Sequence, residues 1–187
     1  MTEIYALWLP ILLSAVFVFI ISSIIHMAIP AWHKTDYPKM PQEQQFMDAT
    51  RSLNVAPGDY MVPGCSDMAE MKTPAFQEKM KQGPVIVMTV LPNGMPSMGR
   101  PLILWFIYCL VVSAFSGLVG GLALPHGADH GKIMHLAGVP AFMGYAFALW
   151  QFSIWYRRRW LTTIKSTIDG LIYAIATGAT FVWLWPQ

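Results

Sequence analysis

Asp169 is the residue of this 187-residue chain that most strongly suggests chemistry, because it is the only charge between Thr167 and Trp185. A carboxylate at the centre of a membrane costs roughly 2.5–3.5 kcal/mol, so it needs a partner or a task. It either pairs at headgroup depth with Lys165 or an arginine, or faces a cavity or a bound lipid headgroup. The sequence therefore predicts a binding role for a set of five residues: Asp169, Lys165, Arg157, Arg158 and Arg159.

A second concentration of polar residues follows Pro125 and contains His126, Asp129, His130 and His135. Histidines four residues apart with an aspartate between them could bind a divalent metal from one face of a helix. However, Pro125, Gly127 and Gly131 favour a tight loop over residues 125–132, which removes that geometric argument. We therefore predict a polar loop and no metal site, with metal binding kept as the alternative.

Two further sets of residues offer ligands, one for haem and one for copper. Haem needs axial ligands at matching depth, but His26 and His135 fall near opposite sides of the predicted bilayer. His33 follows His26 beyond Pro30 and is predicted to lie at the membrane interface. Cys65, with Met68 and Met71, offers sulfur ligands that suit Cu(I). Methionines also fill irregular gaps and adaptable interfaces, and we predict no cofactor.

The elements that must position these residues are four apolar runs, at residues 4–29, 101–124, 134–156 and 162–185. About 20 helical residues span the roughly 30 Å of bilayer hydrocarbon. The first run lacks the basic start of a signal peptide, so we interpret it as a retained membrane helix, kinked by Pro10. The predicted fold is an all-α membrane protein with four transmembrane helices, forming a single membrane domain over residues 1–187.

Small residues recur every four positions in two of these runs and predict close helix packing. One ridge runs through Cys109, Ser113, Gly117 and Gly121, and the other through Ser166, Gly170, Ala174 and Gly178. We expect the two ridges to meet.

The extramembrane insert, residues 31–100, is richer in charge and proline than the rest of the chain. Its pattern predicts a helix after Pro41, a second helix that Thr73 caps and Gly83 ends, and extended segments at residues 58–63 and 84–91. Pairing of the extended segments would make a small α/β flap.

Composition excludes several classes of protein. The chain is 55% hydrophobic and only 12% charged, whereas soluble domains carry about 25% charge. A net charge of +2 argues against a nucleic-acid partner. Two cysteines, Cys65 and Cys109, make no disulfide framework.

Sidedness follows from the basic connection at residues 157–159, which is short enough for the positive-inside rule to apply. It places the connection and the insert in the cytoplasm and both termini outside. The expected location is the bacterial inner (cytoplasmic) membrane.

Several stretches resemble a family of small bacterial four-helix integral membrane proteins that has no assigned activity. They include Gly58-Asp59-Tyr60, Trp105-Phe106, KSTIDGLIY from Lys165 to Tyr173, and the closing Trp183-Leu184-Trp185-Pro186. The resemblance implies a bacterial membrane protein with four helices and brings no catalytic residue.

The features together favour a non-enzymatic protein, although an enzyme is not excluded. Packing ridges, few ionisable groups in the helices and a methionine-rich insert are typical of an accessory or scaffold subunit on a larger membrane complex. The expected partners are membrane lipid and other membrane-protein subunits. The alternative is a small transporter-like, metal-binding or lipid-binding membrane protein that uses Asp169 or the loop between His126 and His135.

Overall fold

The computed structural model describes every residue, Met1–Gln187, and is mostly helical. Four helical stretches are long and apolar enough to cross a membrane: Ile4–Ala28, Gly99–Ala123, His130–Trp155 and Trp160–Leu184. Each lies within four residues of its predicted bounds, and the predicted fold class is confirmed. The chain has the architecture of a multi-pass membrane protein.

The helices and strands follow in chain order. A 3₁₀ turn, Ile4–Leu7, leads into α1 (Trp8–Ser23), and a π-helical turn, Ile24–Ala28, precedes α2 (Pro30–His33). The middle of the chain holds α3 (Glu43–Arg51), β1 (Gly58–Val62), α4 (Met68–Met71), α5 (Pro74–Gln82) and β2 (Ile86–Val90). The remaining helices are α6 (Gly99–Ala123), α7 (His130–Ala146), α8 (Trp150–Trp155) and α9 (Trp160–Leu184).

The chain forms two compact units, residues 1–38 with 97–187 and residues 39–96. The first unit is a four-helix bundle in which α1 packs on α6 and α9, and α7 packs on the same two helices. The α7–α9 interface is the most extensive. Leu7, Val18, Ile133 and Phe181 are fully or almost fully buried within the chain.

The two small-residue ridges do not meet, which corrects the sequence expectation. A Cβ added at Gly117 would lie 3.0 Å from Ile11, and one at Gly121 would lie 2.6 Å from the backbone of Thr2, so the α6 ridge faces the first span. Phe181 is the residue of α9 that reaches Gly117. Four-residue spacing identifies a packing face but carries no information about which helix covers it.

The α9 ridge packs instead on α7. A Cβ at Gly170 would meet Ala146 at 3.0 Å, and one at Gly178 would meet the Met134 sulfur at 2.7 Å. Ala174 contributes its carbonyl oxygen, 3.5 Å from the position of a Cβ on Gly138. Because Gly138 on α7 and Gly170 and Gly178 on α9 have no side chains, the two helices can pack closely, in keeping with the extent of their interface.

The first turns of two helices bear on the sequence expectations. α7 begins at His130, inside the predicted loop, because the Asp129 carboxylate accepts a hydrogen bond from the Lys132 backbone N–H and caps the helix despite Gly131. Pro10 falls in the first turn of α1, directly after the 3₁₀ turn Ile4–Leu7, where its missing N–H has no partner within α1 to lose.

The second unit contains the predicted flap. β1 and β2 pair antiparallel, from Gly58 opposite Val90 to Val62 opposite Ile86. Thr73 caps α5 through a hydrogen bond from the Phe76 N–H, and Gly83 ends the helix at a φ of 61°. These helices and strands were predictable because each depends on local capping and turn chemistry.

Candidate metal site at one end of the bundle

The chain reverses direction where α1 ends, and this reversal builds a polar site. The last turn of the first span, Ile24–Ala28, is π-helical, a rare conformation that is frequent at functional sites. Pro30 then occupies the first position of α2, where its fixed φ suits a helix start. The short helix brings Trp32 and His33 against the first turns of α9.

Asp169 lies in this site and is only 3% exposed. Its Oδ1 accepts a hydrogen bond of 2.8 Å from the Trp32 indole N–H. Its Oδ2 lies 3.1 Å from Nε2 of His33. The partners of Asp169 therefore come from α2, and neither Lys165 nor an arginine forms an ion pair with it.

The two ring nitrogens of His33 have different surroundings. Nδ1 lies 2.7 Å from Oδ2 of Asp36 and is hydrogen-bonded to it. Nε2 is buried and has no hydrogen-bond partner, because its approach to Asp169 has the distance of an ion pair but not the angle of a hydrogen bond. A carboxylate that binds one imidazole nitrogen and leaves the other available is typical of a metal-ligating histidine.

Asp36 is held in turn by Lys165. The Lys165 ammonium is 3.1 Å from Asp36 Oδ1, donates to Thr35 Oγ1 at 3.0 Å and also donates to the Trp32 carbonyl. Burial acts to raise the pKa of Asp36, but the hydrogen bonds from His33 and Lys165 outweigh it, so this pKa is lowered from its ordinary value. Asp36 is therefore ionised at neutral pH and holds both neighbours in place.

His26 completes the site from the π-helical turn. Its ring stacks on that of His33, with centroids 4.3 Å apart and planes inclined by 22°. One ligand atom each from His26, His33 and Asp169 lie within 4.8 Å of one another, and no other group of three or more histidine, cysteine, aspartate or glutamate residues does so. His26 makes no hydrogen bond within the protein, so its nitrogens are available.

The other residues singled out from the sequence lie elsewhere. Arg157, Arg158 and Arg159 form the connection before α9, and Arg159 Nη1 approaches only the Thr35 carbonyl, at 3.5 Å. At the opposite end of the bundle, His126 is 3.5 Å from Glu3 and His135 bonds the Gly131 carbonyl. These histidines do not converge on one point.

Comparison with protein-family models, with curated proteins and with solved structures finds no match. The resemblance to a bacterial membrane family therefore stays an expectation, and the site must be interpreted from its own geometry.

Sequence reasoning identified Asp169 but missed its partners. It judged His26 against His135, at the other end of the bundle, and treated His33 as an interfacial residue. A signal was present, because an up-and-down four-helix topology places the end of the first span beside the start of the fourth. This topology therefore predicts that His26 and His33 lie near the depth of Asp169.

Proposed function

We propose that this chain is a multi-pass membrane protein that binds a divalent first-row transition metal ion through His26, His33 and Asp169. One observation carries the proposal: His33 Nδ1 is held by the Asp36 carboxylate, while its Nε2 is buried, unpartnered and 3.1 Å from Asp169. An imidazole so oriented presents a lone pair where the Asp169 oxygen also points.

The separations suit a shared ion. Metal–nitrogen and metal–oxygen bonds of about 2.1 Å place two ligands of a tetrahedral ion roughly 3.4 Å apart, close to the 3.1 Å between His33 and Asp169. His26 lies at up to 4.8 Å and is exposed, so rotation of its side chain brings the third ligand into range. Three protein ligands leave a fourth position for water or an exogenous group.

The donor set narrows the class of metal. Two imidazoles and one carboxylate suit zinc, iron, cobalt and nickel, and disfavour calcium and magnesium, which prefer oxygen ligands. The converging ligand atoms belong to His26, His33 and Asp169 alone, so the set contains no thiolate. We therefore expect Zn²⁺ or Co²⁺ to bind and Mg²⁺ to fail to compete.

A purely structural ion-pair network is the competing explanation of the same residues. Lys165 with Asp36, and a protonated His33 with both Asp36 and Asp169, would tie α2 to α9 without any metal. That explanation needs no His26, so His26 separates the two. Its replacement removes a ligand and no hydrogen bond.

The test is metal stoichiometry in detergent solution. Purified protein is dialysed against Zn²⁺ with excess Mg²⁺ and its bound metal measured by mass spectrometry. We expect about one Zn²⁺ per chain in the wild type and a large loss of affinity in His26→Ala and in His33→Ala. His135→Ala is the matched control and should bind as the wild type does.

Two results would overturn the proposal. One is a wild-type protein that binds no Zn²⁺ at micromolar concentration. The other is a folded His26→Ala variant with unchanged affinity, which would reduce the site to an ion-pair network.

A second function, the role of an accessory subunit, is favoured by the insert. Phe76 is the only buried side chain among residues 39–96, and the two-stranded sheet leaves the outer edge of each strand unpaired. A two-stranded sheet with so little buried surface is marginally stable alone. We infer that the insert gains stability from a partner, as the subunit of a larger bacterial inner-membrane complex would.

Purification in mild detergent tests this second function. A complex of constant stoichiometry that is lost when both Met61 and Val87, exposed on the strands, are changed to Asp would support it. A monodisperse lone chain with a protease-resistant insert would contradict it. The metal proposal would be unaffected by either result.

A further inference from the structure

The connection between α8 and α9 lines an open cleft with three arginines. The cleft has a volume of about 700 Å³ and is bordered by Arg157, Arg158 and Arg159 together with Ser153, Ile154 and Trp160. It is separate from the metal-site residues, none of which lines it.

None of the three arginines has a carboxylate partner. The ion pairs of the protein involve His33, Lys39, Arg51, His126 and Lys165, and no arginine of this connection. Arg159 reaches only a backbone carbonyl, that of Thr35. Three adjacent guanidinium groups without a counter-charge repel one another, and a bound anion relieves that repulsion.

The start of α9 adds a second attraction for an anion at the same place. This helix has 25 residues and begins at Trp160, on the border of the cleft. Its N-cap residue, Arg159, supplies no side-chain hydrogen bond to the first turn. The Thr162 N–H bonds the Arg159 carbonyl, which leaves the N–H groups of Trp160 and Leu161 unbonded. Free N–H groups and the positive end of the helix dipole bind phosphate and other anions.

The aromatic residues around the cleft favour a position at the depth of lipid headgroups. Trp155, Tyr156 and Trp160 are each at least half exposed around it. Tryptophan and tyrosine concentrate at membrane–water interfaces, and basic residues there attract anionic lipid. A phosphate at that depth belongs either to a phospholipid or to a soluble phosphate compound.

We propose that this cleft binds a phosphate group, with the three guanidinium groups and the first turn of α9 as its ligands. Arginine forks match phosphate oxygens in bidentate geometry. The apolar border of Ile154 and Trp160 suits the glycerol and upper acyl region of an anionic phospholipid. The proposal is independent of the metal site.

Native mass spectrometry of the detergent-solubilised full chain tests it with three probes: phosphatidylglycerol, phosphatidylcholine and inorganic phosphate. We expect phosphatidylglycerol to bind more tightly than phosphatidylcholine. Changing all three arginines to glutamine should weaken that binding about a hundredfold, since each basic residue near a membrane surface contributes roughly fivefold. The control removes the same charge from the insert, as Lys72→Gln/Lys79→Gln/Lys81→Gln, and should leave the binding unchanged.

The arms of the experiment separate the sources of phosphate. Competition by millimolar inorganic phosphate would assign the cleft to a soluble phosphate compound, and its failure to compete would assign the cleft to lipid. Should the triple arginine variant not fold by circular dichroism, single Arg157→Gln and Arg158→Gln variants should each weaken binding several-fold. Equal binding of both lipids with no phosphate binding would overturn the proposal, as would unchanged binding in a folded triple variant.

Discussion

The two ends of the helical bundle contain the same types of polar residue but arrange them differently. At one end, His26, His33, Asp36, Lys165 and Asp169 converge, and the charged members are almost completely buried. At the other, the histidines at 126, 130 and 135 and Asp129 are spread along a loop and a helix start. There the chain is closed mainly by uncharged groups: Trp185 donates to the Pro125 carbonyl at 3.0 Å and Thr2 to the Leu124 carbonyl at 3.0 Å.

The difference arises from the path of the backbone. After the first span the chain reverses through a π-helical turn and Pro30, so α2 lies against α9 and delivers two side chains to Asp169. At the opposite end, the Asp129 carboxylate caps α7, and His135 is hydrogen-bonded to a carbonyl of its own helix. A cluster of histidines in sequence is thus a poorer guide to a site than a reversal that folds a polar segment back onto a helix.

The largest expected contrast is between Asp169→Asn and Asp129→Asn. The first removes a charged ligand and leaves His33 and Lys165 in a poorly hydrated site. Zn²⁺ affinity should fall by more than the roughly 10–100-fold that loss of a ligand's hydrogen-bond partner costs. The second preserves a good N-cap, since Asn caps helices as well as Asp, so neither affinity nor thermal stability should change. Equal effects of the two variants in isothermal titration would abolish the contrast between the ends.

A smaller effect is expected from Asp36→Asn, which touches the site only through His33 and Lys165. The amide no longer fixes the His33 ring as a carboxylate does, so Zn²⁺ affinity should fall about 10–100-fold while one ion per chain still binds at saturation. Asp48→Asn, which breaks an exposed pair with Arg51, is the control. If the Asp36→Asn variant no longer binds one Zn²⁺ per chain at saturation, Asp36 is itself a metal ligand.

Acid should weaken the end of the bundle that holds Asp36. Because the pKa of Asp36 is lowered in the folded protein, its ion pairs stabilise the fold fully above its ordinary pKa. That stabilisation is lost as the pH falls through the lowered value. The difference in unfolding temperature between wild type and Asp36→Asn should therefore be constant from pH 7 to about 5 and shrink below about 4. If the difference in unfolding temperature grows as the pH falls, the ion pairs of Asp36 do not stabilise the folded protein in the way that a lowered pKa requires.

The smallest effect is expected from His126→Ala, because its contact with Glu3 is long and exposed. Exposed ion pairs contribute about 0–1 kcal/mol, so the unfolding temperature should move by only a few degrees and Zn²⁺ binding not at all. Loss of metal binding in this variant, with His26→Ala unaffected, would transfer the metal site to the opposite end of the bundle.

Much of the fold was predictable from local patterns. The four spans were placed to within four residues, because a bilayer demands about 20 apolar residues wherever the chain crosses it. The flap was predictable because Thr73, Pro74 and Gly83 have fixed roles at helix ends. The start of α7 was missed, since the capping carboxylate of Asp129 outweighed the glycine that follows.

The candidate site was predictable only in part. Asp169 was found because an isolated charge in an apolar run is costly whatever surrounds it. The pairing of Lys165 with Asp36 was missed because a neighbour four residues away on the same helix, Asp169, offered a simpler partner. The Lys165 side chain instead reaches α2 and the residues just beyond it, where a carbonyl, a hydroxyl and a carboxylate bind its ammonium together.

The sequence by itself determined which segments can lie in hydrocarbon and where most helices and strands of the insert begin and end, since both depend on residues close together in the chain. Only the tertiary structure decided that the α9 ridge packs on α7 and the α6 ridge on the first span. It also decided that residues 26–36 meet Asp169, more than 130 positions away. Contacts of that range depend on which helices become neighbours, and apolar faces of similar shape leave that choice to the packing of the whole bundle.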